Sequence, residues 1–212
     1  MPSKSKEEVV QEYRIQSIQE AALRVIARKG MAAATMQEIA EEAGVAKGTI
    51  YLYFRDRDEL VEKTFESAIQ QLHERLRAQI HGEMTFAERL RHTIKAKLTF
   101  FSENREFFRL YASLRMPEGT PAQQRRQKRT CQPQYEAGIA DLTRELQRAM
   151  AAGEIREMDP RRLALFIAEG SSALVFERVM EEANPAIDDD VDFIVSAILD
   201  GIAVRKSKRS TN

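Results

Sequence analysis

The chain has 212 residues, 43% hydrophobic and 31% charged, which fits one large domain or a small one beside a medium one and argues against wholesale disorder. Its 33 basic residues balance 33 acidic ones, so it is no polyelectrolyte for nucleic acid or anionic membrane, and any DNA binding must come from local placement of charge. A single cysteine, Cys131, excludes an intrachain disulfide, and three scattered histidines, His73, His81 and His92, give no metal-ligand spacing.

Sparse glycine and proline and abundant helix formers predict an all-α chain of about nine helices. Ser5 and Glu8 form the S-x-x-E signature of a capping box. A long helix follows, with Val9, Tyr13, Ile18, Ala21, Ala22, Val25 and Ile26 near helical spacing, and Gly30 ends it. Thr35 and Glu38 repeat the signature, opening a second helix over about 36–43 that stops at Gly44. A third short helix is expected over about 46–53. Asp56 and Glu59 open a fourth, running to about 81, where Gly82 breaks the pattern. Helices are then expected over about 85–102, 104–115 and 122–152, with a linker at 116–121 and a kink or interruption at Pro133. Asp159-Pro160 opens a helix to about 182, Asn184-Pro185 ends it, and a last helix spans about 188–204 before a basic tail. The N-terminus lacks the apolar core of a signal peptide, and no stretch approaches the roughly 18 apolar residues of a membrane span, which points to the cytoplasm.

The stretch GVAKGTIYLYF, residues 44–54, is unusual, because Gly48 costs about 1 kcal/mol relative to alanine inside a helix. Two short helices joined by a tight glycine turn make a helix-turn-helix. At about 100° per residue, Ile50 and Phe54 share one face and can dock on the preceding helices. Gly48, Thr49 and Leu52 lie opposite, with Tyr53 beside Thr49, while Lys47 and Tyr51 flank them. Such a small outer face suits a major groove. Gly48 would let backbone approach the bases, or would serve close packing inside the protein. Thr49 offers a hydroxyl and a methyl to a base edge, and Lys47 and the tyrosine hydroxyls can reach phosphates. Tyr51 either packs between the third and fourth helices or touches phosphate. Thr35 caps its helix, and with Gln37 it places backbone amides where a phosphate could bind.

The run TMQEIAEEAGVAKGTIYLYFRDRDEL, within a stretch from Ala21 to about Phe65, resembles the DNA-binding domain of TetR-type transcriptional regulators. Together T-x-x-E-I-A, A-G-V, K-G-T-I-Y-x-Y-F and the following E-L form a specific signature. The resemblance implies a homodimer with an N-terminal DNA-binding domain, here residues 1–57, and a larger domain, 58–212, that senses a small effector and dimerises. It implies that effector binding changes the spacing of the two recognition helices and releases a palindromic operator. By position, DNA contacts fall on Thr35, Gln37, Lys47, Gly48, Thr49, Tyr51, Tyr53 and Arg57. Leu52 belongs to the same surface but departs from the polar or aromatic residue often found there, which leaves open the base it reads.

Phe100, Phe101, Phe107, Phe108, Tyr111 and Leu114 make a dense apolar group that is either bundle core or part of an effector pocket, with Tyr135, Phe166 and Phe176 as further candidates. So few polar groups stand among them that a largely apolar effector is expected. Gly170, Ser171, Ser172, Ala173 and Leu174 put small residues in mid-helix, and Ile194, Ala197, Ile198, Gly201 and Ile202 form a stripe on the last helix. These either fill the intrachain core or, as the resemblance suggests, build a four-helix dimer interface. The basic run Arg125, Arg126, Lys128 and Arg129 is a solvated face or meets an anionic head group. No catalytic set, phosphate loop or cofactor motif appears, so an enzyme is not expected. An activator or an effector-independent regulator with the same DNA-binding domain is the rival function, with an all-helical enzyme or adaptor as more distant alternatives.

Overall fold

Most helix starts carry a side chain that accepts from a free backbone amide of the first turn, as Ser5, Thr35, Asp56, Thr85 and Asp159 do. In the computed structural model, which describes residues 5–79, 84–115, 120–180 and 186–202, nine helices account for the regular structure of the described residues. They are α1 (Lys6–Lys29), α2 (Met36–Glu42), α3 (Lys47–Ile50), α4 (Arg57–Gln79), α5 (Phe86–Glu103), α6 (Arg105–Arg115), α7 (Pro121–Ala151), α8 (Pro160–Met180) and α9 (Ile187–Ile202). The all-α expectation holds. Gly82, most of the 116–121 linker, Asn184-Pro185 and the basic tail lie outside the described residues.

Three boundaries differ from expectation in instructive ways. The third helix is four residues, not eight. After Ile50 the chain tightens, with the Leu52 and Tyr53 amides reaching back three residues to the Thr49 and Ile50 carbonyls at 3.2 and 2.9 Å. α7 is continuous through Pro133, so of the kink or interruption expected there the interruption does not occur. In α1 the apolar stripe becomes core only from Ile18 onward, and Tyr13 is 71% exposed, because the first turns have no neighbouring helix to cover them.

The described residues fall into two compact units, residues 1–71 with 104–133 and residues 72–103 with 134–212, and α4 and α7 contribute to both. In the first unit α1 packs on α2 and α6, and α2 on α3. Ile18, Val25, Ile39, Ile50, Leu60, Phe65 and Leu110 are buried there. In the second, α5 packs on α8 and α9, with Leu90, Ile94, Leu98, Ile167 and Val191 buried. The buried Arg178 guanidinium ties α8 to α9 through the Asp190 carboxylate. Lys97 of α5 donates its ammonium protons to the Ala168 carbonyl and to the Ser171 and Ser172 hydroxyls of α8 at 2.8–3.0 Å.

The α1–α2 contact is electrostatic as well as apolar. Glu42 receives Arg24 Nε at 2.8 Å and Arg28 Nη2 at 3.2 Å, and Lys29 pairs with Glu38. The Arg24 hydrogen bond, then that of Arg28, holds the Glu42 carboxyl below the usual range, and Lys29, then Thr35, does so for Glu38. A carboxyl depressed in the folded state stabilises above its unfolded pKa, near 4.3, and that contribution disappears as pH falls through the lower folded value. Solvent exposure keeps the effect small. Glu42→Gln should therefore lower the thermal midpoint slightly at pH 7. The difference from the parent should shrink as unfolding is followed down to about pH 3; a gap independent of pH would rule out the ion pairs as its source.

Candidate nucleic-acid interface

Four local devices fix the α2–α3 segment. Thr35 is the N-cap of α2: its Oγ1 accepts from the Glu38 amide at 3.3 Å, while Glu38 accepts from the Thr35 amide at 3.1 Å. At the other end the Val45 amide bonds the Ala40 carbonyl at 3.0 Å and the Gly44 amide bonds the Glu41 carbonyl at 3.1 Å, the paired bonds of a Schellman motif. That motif needs a left-handed residue, and Gly44 supplies it at φ +66°. α3 has no side-chain cap at Ala46 and is held instead by burial of Ile50 (0% exposed) and Phe54 (4%). Asp56 then caps α4, accepting from the Asp58 and Glu59 amides at 3.0 and 2.9 Å, and the Glu59 bond foremost holds its carboxyl below the usual range.

Opposite the two buried anchors, the segment presents Lys47, Gly48, Tyr51 and Leu52 to solvent, Leu52 at 79% exposure, with Thr49 half-buried beside them. No atom outside the local backbone lies within 4 Å of where a Gly48 Cβ would stand, so internal packing does not require this glycine. Among the described residues no carboxylate pairs with Lys47. Tyr51, for which packing and phosphate contact were both open, is exposed, while Tyr53, expected outward, is half-buried, because the chain leaves helical geometry after Ile50 and the 100° wheel no longer applies. Thr35 and Gln37 are exposed on the same unit, and the Gln37 amide nitrogen donates to Glu41 at 2.8 Å.

Arg57 does not stand free on the surface. It is half-buried, and its Nη1 donates to the Ala34 carbonyl at 3.2 Å, which ties the start of α4 to the residue before the α2 cap. A guanidinium bound to a carbonyl 23 residues away leaves no local sequence signal. Arg55, which sequence reasoning passed over, is the more exposed of the two and bonds Asp56 at 3.2 Å. Its only signal was its place in the R-D-R turn.

The aromatic candidates separate. Phe100 and Phe101 are buried in the second unit, edge to face at 5.5 Å, and Arg75 lies over the Phe100 ring at 5.3 Å. Phe107, Phe108 and Tyr111 belong to the first unit, where Phe107 and Tyr111 pack on Phe65 of α4 at 5.7 and 6.3 Å. Tyr135 donates its hydroxyl to Glu169 at 2.8 Å. Phe166 is 68% exposed and lines no interior.

The last two helices also need revision. Ser171, Ile194, Ile198 and Ile202 are buried inside the subunit, so they fill its own core rather than a surface for a partner. Leu174 is half-buried. The exposed apolar face consists of Phe166, Gly170, Ala173 and Met180 on α8 and of Phe193 and Ala197 on α9.

No described helix is long and apolar enough to cross a membrane. A family profile described as "Bacterial regulatory proteins, tetR family" matches residues 18–64, the span holding both helices of the motif and its turn. The HTH-type transcriptional regulator YhgD of Bacillus subtilis is 24% identical over 173 residues, covering 82% of this chain and 87% of that protein. The fatty acid metabolism regulator protein of the same organism is 38% identical over 71 residues, 34% of this chain and 37% of that one. Among solved structures, FadR of Bacillus subtilis in complex with stearoyl-CoA superposes with a TM-score of 0.77 over 88% of this chain and 98% of that chain, at 23% identity, which establishes a common fold. With the helix-turn-helix geometry in place and its sequence matched, residues 18–64 form a DNA-binding domain of the tetR family of bacterial regulatory proteins.

Proposed function

We propose that this regulator is a cytoplasmic homodimeric repressor, released from a palindromic operator by a largely apolar effector. Residues 1–57 bind DNA and 58–212 hold the effector and the dimer contact. The observation that carries the DNA-binding assignment is the outward face of 47–52: small at Gly48, cationic at Lys47, and set opposite the buried Ile50 and Phe54. In a major groove, Lys47 and Tyr51 meet phosphate, while Thr49 and Leu52 meet base edges, with Thr35, Gln37 and Tyr53 at the margins. Arg57 serves by holding the loop before α2 in place.

The effector is a long-chain acyl-CoA. Two facts support this: the relative named for fatty acid metabolism, and the stearoyl-CoA bound by a protein of the same fold.

The dimer forms through the exposed faces of α8 and α9. Gly170 and Gly201 are exposed, and neither has an atom outside its local backbone within 4 Å of a Cβ position. Nothing among the described residues therefore demands glycine at these two helix positions, whereas close approach of a second copy would.

Four outcomes are expected. Footprinting on DNA flanking the gene should protect a palindrome at physiological salt, and about 10 µM stearoyl-CoA, a concentration chosen on the order of ordinary ligand affinities, should abolish protection while free CoA does not; protection that persists removes the acyl-CoA reading. On the protected duplex, Lys47→Ala should weaken binding and lower the salt slope by about one unit. Gly48→Ala should leave thermal stability equal or higher, because alanine is the better helix former by about 1 kcal/mol, yet reduce operator affinity; unchanged affinity would mean the groove does not approach there. Phe193→Glu should raise the dimer dissociation constant about 30-fold or more, as expected for a buried aromatic anchor, whereas Ile198→Val should cost about 1 kcal/mol of stability and leave dimerisation unchanged. Sedimentation equilibrium separates the two.

A further inference from the structure

We propose that Leu52 reads the C5-methyl group of a thymine in each half-site and so sets the sequence preference of this regulator. The proposal rests on the assignment of Lys47–Tyr53 to the groove. Leu52 lies in the turn directly after α3, opposite Ile50 and Phe54, at 79% exposure. It is the most exposed large apolar side chain among the described residues. A singly exposed leucine is ordinary on a protein surface. This one differs by its place, because burial of its two anchors turns it outward on the face that Gly48 keeps low.

Its chemistry restricts what it can read. Lys47, Thr49 and Tyr51 carry polar atoms that can bond to phosphate or to a base edge; Leu52 carries none. Against the N4 amino group of cytosine, or the O6 and N7 of guanine, it would strip water from a polar edge and return no hydrogen bond. The thymine methyl is the apolar group that the major-groove edge of an unmodified duplex offers. Thr49, half-buried three residues earlier, also has a methyl, so the experiment must separate the two.

The test uses the full-length protein and the footprinted duplex, with each thymine replaced in turn by deoxyuridine, which removes the methyl and leaves pairing and phosphates intact. At one symmetric position uracil should weaken wild-type binding about fourfold per half-site, the worth of one buried carbon. The loss should vanish in Leu52→Ala and persist in Thr49→Ser, which keeps the hydroxyl and removes the methyl. At that position 5-methylcytosine should bind better than cytosine for wild type, and equally for Leu52→Ala. Exposure of Leu52 predicts that Leu52→Ala folds normally, checked by thermal unfolding. If wild type ignores uracil at every position, or if the sensitivity follows Thr49, the Leu52 assignment is overturned. If wild type does not distinguish the protected duplex from random DNA, the groove assignment fails first, and the proposal with it.

Discussion

A helix of four residues has no stability of its own, since nucleation costs more than so few hydrogen bonds return. Lys47–Ile50 is helical because Ile50 and Phe54 are drawn into the core of the first unit, and the rest of the DNA-facing surface follows from those two side chains. With both anchors inside, Gly48 and Leu52 have to face out. With α3 pinned at its own C-terminal end, the angle of approach depends on the turn before it, where the left-handed Gly44 closes α2. α2 in turn is held by the Thr35–Glu38 cap and by cations from α1.

Those cations solve a second problem. The first unit must approach a polyanion, yet α2 carries Glu38, Glu41 and Glu42 within seven residues. Arg24, Arg28 and Lys29 neutralise two of the three from the neighbouring helix, and Gln37 occupies the third with a hydrogen bond. Glu38 and Glu42 serve as cap and brace while their charge is cancelled locally. Lys47, with which no carboxylate pairs among the described residues, then stands as a local cation at the proposed interface, although the chain carries no net charge. Salt would screen the exposed α1–α2 pairs as well as the phosphate contacts, which links orientation of the reading head to ionic strength.

Much of this was legible in the sequence because it is local. Ser5, Thr35 and Asp56 cap helices that begin at the next residue, and Gly44 ends one; each signal and its effect lie within a few residues. The burial of Ile50 and Phe54 followed from four-residue spacing alone. What escaped was set by contacts distant along the chain or by loss of regular geometry. The Arg57–Ala34 bond spans 23 residues. Tyr53, expected outward, is half-buried because the wheel assumed a helix that had already stopped. Phe101 and Phe107 are six residues apart in sequence, on either side of the helix boundary that periodicity placed near 103, yet they fall in different compact units, which long-range packing decides.

The last two helices show a different limit. Periodicity reports that a face is apolar, not which neighbour covers it. On α9 the Ile194–Ile198–Ile202 stripe is covered within the chain, and the opposite side still shows Phe193 and Ala197. α8 repeats the pattern, with Ile167, Ser171 and Val175 inside and Phe166, Ala173 and Met180 outside. A helix apolar around most of its circumference is stable in water when both sides are covered. One side is already satisfied by α5 and by the other member of the pair. A second copy is the economical cover for the remaining side, because two adjacent helices with the same unsatisfied face can meet their equivalents across a twofold axis, and each exposed phenylalanine then removes apolar area from water twice per dimer.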